Sequence, residues 1–120
     1  MSEQPPPIPA RSFEFAVRVV NMCQELEALR GSSRILVNQL LRSGTSIGAN
    51  VEEAQGAQSK ADFTAKMYIA CKEARETHYW LRVFIETNLA PKNRLAPLLD
   101  EANQLVAILT TITKNSRPTK

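Results

Sequence analysis

The sequence predicts an all-α protein, an antiparallel up-down-up-down four-helix bundle, on three observations. Apolar residues recur at steps of three and four through four long segments, prolines gather at the ends of those segments, and only four glycines occur in 120 residues. That punctuation favours long helices over many strands. A chain of this length with 43% hydrophobic residues fills one core and leaves little for a second domain. Residues 1–11 read as a flexible Pro-rich tail, 12–114 as the bundle domain and 115–120 as a basic tail.

Ser12 is a suitable N-cap for the first helix. After it Phe13, Ala16, Val17, Val20 and Cys23 recur at helical spacing, Phe15, Val19, Met22, Leu26 and Leu29 widen the stripe, and Gly31 is read as its end. A stripe that broad calls for two bundle neighbours or a second subunit.

From Ser33 to about Gly56 the apolar phase runs through Leu36, Leu40, Ile47, Val51 and Ala54 without a shift, which reads as one helix. Gly44 and Gly48 each cost about 1 kcal/mol relative to alanine in a helix interior. They share the side of Leu40 and Val51, where they permit close backbone approach. The other reading of RSGTSIG is a break between two shorter helices.

Ser59 and Asp62 resemble a capping box and open the third helix. Its core line is Phe63, Met67, Ala70, Ala74, Thr77, Leu81 and Phe84 with Ile85, and it ends near Asn88. The fourth runs from about Pro91 or Lys92 through Leu95, Leu98, Leu99, Ala102, Leu105, Val106, Leu109 and Ile112. Pro97 places the start of its regular part nearer Arg94 or Ala96. Short connections between long helices make consecutive helices antiparallel.

Nothing in the pattern points to catalysis, a metal or another cofactor. A di-iron bundle needs several inward glutamates and paired Glu-x-x-His elements, and the chain has one histidine, His78, with Arg75 three residues before it. Cys23 and Cys71 lack short metal-ligand spacing and read as reduced thiols in a helical core. No phosphate-loop motif occurs. No run approaches the roughly 18 apolar residues of a membrane span, and the first ten residues lack the features of a secretory signal, so a cytoplasmic protein is expected. The net charge of +3 is supplied by residues 91–120, where five cations face Asp100 and Glu101. Such an end attracts polyanions weakly, or serves solubility.

Two surface lines stand out. Opposite the core of the third helix, Tyr68, Lys72, Arg75, Tyr79 and Arg82 follow at steps of four and three, interleaving cations with aromatics. Such a strip suits RNA or DNA, its cations meeting phosphates and its rings stacking on unpaired bases. The competing reading is a solvated face with Glu76 and Glu86 in helix ion pairs. Beside it lie Ile69, Glu73, Glu76 and Trp80, and the second helix carries a polar line of Gln39, Arg42, Ser46, Asn50 and Glu53. Both are candidate oligomer or partner-protein interfaces, with Arg42 pairing a carboxylate such as Glu53 or Glu76 across them; solvent exposure, and for Trp80 a wide core, are the alternatives.

The segment RSGTSIGANVEEAQGAQSKADFTAKMYIACKEARETHYWL, residues 42–81, resembles the four-helix bundle proteins related to bacterial 23S rRNA intervening-sequence proteins. The features that carry the resemblance are Arg42-Ser43, Ser46 to Asn50, Glu53-Ala54, Ser59, Asp62-Phe63, Ala70 and Glu76. It covers about a third of the chain; the first and fourth helices match by length and pattern. The resemblance implies a ring-shaped homopentamer of up-down bundles and, by analogy with accessory proteins of diversity-generating retroelements, contact with nucleic acid and a protein partner.

Overall fold

The computed structural model describes residues 6–116. Its first helix, α1 (Ile8–Glu25), begins four residues before Ser12. Pro9 holds the second helical position, where its missing N–H would have no intrahelical partner and its fixed φ suits the helix. Ser12 is therefore no cap: it is fully buried and its hydroxyl donates to the Pro9 carbonyl at 3.2 Å. The Pro-rich tail read over 1–11 gives up residues 8–11 to the bundle, and its residues 1–5 lie outside the described ones.

α1 ends at Glu25, earlier than the Gly31 that the sequence suggests. Leu26 and Leu29 still pack against the core from the connecting turn, which is why the apolar pattern runs past the helix. Gly31 instead turns the chain into α2 (Ser32–Gln55), at a φ of 69° that suits a residue without Cβ. α2 is continuous through Gly44 and Gly48.

α3 (Lys60–Glu86) opens at the predicted Ser59 cap, with the return bond of the box going to Gln58 rather than to the Ser59 N–H. Ser59 Oγ accepts from the Asp62 N–H at 3.0 Å, and Asp62 Oδ2 accepts from the Gln58 N–H at 3.3 Å. It closes on Asn88 at φ 56°, with the Leu89 N–H donating to the Phe84 carbonyl and the Asn88 N–H to that of Ile85. This crossed pair satisfies carbonyls that the helix end leaves open. α4 (Lys92–Ser116) starts at Lys92, ahead of the Arg94 or Ala96 start read from Pro97. Pro97 lies in its second turn, exposed, and the Asn93 carbonyl that loses a donor is on an exposed residue too. Of the basic tail, Asn115 and Ser116 are helical and 117–120 lie outside the described residues.

Side-chain pairs fix the antiparallel order. Gly44 lies against Val19 and Gly48 against Ser12. Ser43 and Thr77 hydroxyls are 2.9 Å apart, and Thr64 reaches Ser116 at 3.0 Å. Arg11 grips Glu101 with two bonds of 2.6 and 2.8 Å, and Arg94 pairs with Glu25. Consecutive helices share long interfaces, while α1 meets α4 over a short one. Phe15, Val19, Leu40, Ile47, Met67, Leu81, Phe84, Leu105 and Leu109 fill the centre with no solvent exposure. The predicted α3 line is buried from Met67 to Phe84, with Phe63 and Ile85 half-buried at its ends.

The phase of α1 departs from expectation. Phe15, Val19, Met22 and Cys23 face the core, and Phe13 and Val17 are left 65% and 43% exposed. Small residues decide this. Glycine at 44 and 48 lets the Ser12–Val19 side of α1 approach α2 closely, which turns Phe13 and Val17 outward.

Candidate nucleic-acid interface

α3 packs against α2 on one flank and α4 on the other, so its outer face divides into two lines. On the α4 side run Tyr68, Lys72, Arg75, Tyr79 and Arg82, all exposed, with the two rings about half accessible. Lys72 Nζ lies 6.0 Å from the Tyr68 ring centroid and Arg82 Cζ 5.8 Å from that of Tyr79. Each aromatic thus holds a cation over its face. The two modules are eleven residues apart, about 16 Å along a helix rising 1.5 Å per residue.

Of the carboxylates that could neutralise this strip, Glu86 stands exposed without pairing Arg82, and two others are engaged elsewhere. Glu73 and Glu76 both pair with Arg42 of α2, and Glu76 also accepts from Trp80 Nε1 at 2.9 Å. Among the described residues, none of Lys72, Arg75, Arg82 and Lys114 has a carboxylate oxygen within 4.0 Å. The strip therefore presents cations whose charge is not already compensated at contact range.

Between the strip and α4 lies a groove of about 500 Å³. α3 supplies Tyr68, Cys71, Lys72 and Arg75 to its wall, and α4 supplies Thr110 and Lys114, with Thr113 at its base. The α4 wall escapes a reading of one helix at a time. The signal available was the phase of Thr110 and Lys114, four residues apart on the flank of the α4 core line, which antiparallel packing sets opposite Tyr68 and Cys71.

The other line, Ile69, Glu73, Glu76 and Trp80, meets the polar line of α2 inside the chain. The Arg42 pairing expected across a subunit interface is intramolecular, because antiparallel α2 and α3 place Arg42 beside Glu73 and Glu76; Gln39 Oε1 also accepts from Arg42 at 3.3 Å. Glu53 accepts from Lys66 at 2.9 Å, Ser46 donates to the Arg42 carbonyl and Asn50 to that of Ser46. Trp80 is half-buried against the core, edge-on to Tyr79 at 5.1 Å between centroids, while Ile69 remains exposed.

Residues 8–111 match the family described as 23S rRNA-intervening sequence protein. The chain belongs to that family. A solved member of what is termed the S23 ribosomal protein family, a protein of unknown function from Bacteroides thetaiotaomicron, is 40% identical. It superposes with a TM-score of 0.82 over 90% of this chain and 99% of its own. No curated protein matches.

In this intervening-sequence family member, the remaining chemistry-bearing residues are dispersed. Among the described residues no three His, Cys, Asp or Glu side chains cluster as a metal site, and no helix is long and apolar enough to cross a membrane. Burial pushes the Cys23 thiol up to about 11, and its Sγ lies 3.8 Å from the Val37 carbonyl, the arrangement of a protonated core thiol. Cys71 is also buried, 3.4 Å from Thr110 Oγ1.

Desolvation, with Arg82 adding repulsion, holds the His78 imidazole below its ordinary 6.5. The unfolded chain then takes up the proton first, so stability is full above about 6.5 and falls as pH drops through that value toward the folded one. Urea unfolding at pH 7 and pH 5 is expected to show a smaller acid loss for His78→Gln than for the parent. An equal loss would place the acid sensitivity elsewhere.

Proposed function

We propose that the protein is a non-enzymatic, self-associating cytoplasmic helical bundle that binds RNA or DNA through the outer face of α3. The observation that carries this reading is the line of exposed cations and aromatics from Tyr68 to Arg82, beside which Glu73 and Glu76 are turned to Arg42 and Trp80. An ordinary solvated helix face would be laced with intrahelical ion pairs instead. The family's description, which ties it to 23S rRNA intervening sequences, favours RNA among the polyanions.

Self-association is supported by the apolar residues that one bundle leaves in water. Phe13 and Val17 stand on one side of α1, and Val20 and Leu41 flank the outer α1–α2 groove beside them. Covering such a surface contributes about 25 cal/mol per Å² of apolar area. A ring of five copies, the assembly that the family resemblance implies, would repeat the α3 strip and let weak contacts add.

Anisotropy titration of labelled structured RNA and single-stranded DNA at two salt concentrations tests the binding. Affinity falling steeply with salt is the expected result, and absence of binding at low salt overturns the reading. Light scattering on a gel-filtration eluate is expected to give an oligomer that Phe13→Glu shifts toward monomer. A monomeric parent protein would remove the assembly from the proposal and leave the α1 line as a surface for a different protein.

A further inference from the structure

We propose that the groove between α3 and α4 holds one unpaired nucleotide of a single strand, its base against the floor and its flanking phosphates against Lys72, Arg75 and Lys114. This rests on the nucleic-acid reading of α3 and narrows it from polyanion to unpaired strand. At about 500 Å³ the groove falls within the roughly 300–1,000 Å³ of small-ligand sites.

The division between floor and rim decides what fits. The Thr110 hydroxyl donates to the Val106 carbonyl at 2.7 Å and that of Thr113 to the Leu109 carbonyl. With the Thr110 hydrogen committed, the contact at 3.4 Å between Cys71 Sγ and Thr110 Oγ1 leaves the thiol as donor. The side-chain hydrogens of Cys71, Thr110 and Thr113 are thus committed, so the floor at Thr113 and the wall beside it offer nothing to an anion. The donors left for an anion are the exposed Lys72, Arg75 and Lys114 of the rim, which carry the charge, and the Tyr68 hydroxyl. A flat, weakly polar ring below and phosphates above match that division, whereas a free phosphate has no reason to enter the floor.

A duplex cannot use the floor, because its bases are stacked and paired inside; it meets only the rim. An unpaired strand can place one base in the groove. It can then continue along α3 to the Tyr79–Arg82 module, which stands outside the groove wall about 16 Å from Tyr68.

Fluorescence anisotropy with a labelled oligouridylate and a DNA duplex of equal length tests this on the full chain. Thr110→Trp fills the groove from an exposed α4 position, and circular dichroism checks that the helices persist. It is expected to weaken oligouridylate binding about tenfold, the loss of one stacked base, and to leave duplex binding unchanged. Lys114→Gln leaves the groove open and is expected to reduce the salt slope for oligouridylate by about 0.7, one phosphate contact.

Unchanged oligouridylate binding in Thr110→Trp overturns the groove assignment, as does an equal loss for strand and duplex. If Tyr79→Ala and Arg82→Ala weaken binding while both α4 variants do not, the α3 reading stands and the groove proposal falls. If the parent protein binds neither probe, both fall.

Discussion

Alanine at Lys72, Arg75 and Arg82 together is expected to weaken binding of structured RNA and single-stranded DNA about a hundredfold, at roughly 1 kcal/mol for each lost phosphate contact. The salt slope should shrink with it, by about 2 for a single strand, since each contact contributes about 0.7. The matched control is alanine at Arg30, Lys66 and Arg94, which removes the same formal charge from cations outside the strip and leaves Arg42 holding Glu73 and Glu76. Both variants lower the net charge equally, so a long-range field would weaken binding equally in both. Contact at the strip predicts that the control binds within about threefold of the parent. Equal losses in the two would assign binding to overall charge and take the strip out of the account.

Replacing Gly44 and Gly48 together with alanine is expected to destabilise the fold by about 2 kcal/mol, where intrinsic helix propensity alone predicts a gain of about the same size. A Cβ on Gly44 would lie 2.8 and 2.9 Å from the two Cγ atoms of Val19 and 3.2 Å from its Cβ. Valine is stiff at χ1 and cannot swing clear. A Cβ on Gly48 would sit 3.1 Å from the Ser12 carbonyl oxygen, part of the α1 backbone, and α1 is held there by the two-bond grip of Arg11 on Glu101. The sign of the change, read by urea unfolding, separates close helix packing from an incidental pair of glycines. A stabilised double variant would show that α1 can back away from α2 without loss.

The four helices, the continuity of α2 and the cap at Ser59 were legible because each rests on local chemistry: an unbroken apolar phase, a side chain that accepts from an N–H three residues on. The α3 strip was legible for the same reason, since residues at steps of three and four share a face whatever surrounds them. The start of α1 was not, because Ser12 is as good a buried small residue against Gly48 as it is an N-cap, and the residue type fits both. Its core phase was ambiguous as well. Phe13 and Phe15 head two apolar lines of similar strength, and only the glycines on the facing helix choose between them. Arg42 illustrates the remaining difficulty. Its chemistry called for carboxylates, which was right, but whether they come from the same chain depends on the register of α2 against α3. The α4 wall of the groove was hidden for that reason too, since Lys114 reads as part of a basic end until Tyr68 and Cys71 are set opposite it.

Photocrosslinking with RNA carrying 4-thiouridine, followed by peptide mapping, tests most directly that the outer face of α3 is where nucleic acid binds. Adducts are predicted on peptides containing Tyr68 and Tyr79, with the α4 segment from Thr110 to Lys114 as a second site. Adducts confined to α1 and α2, around Phe13, Val17 and Leu41, or spread evenly over the surface, would contradict it.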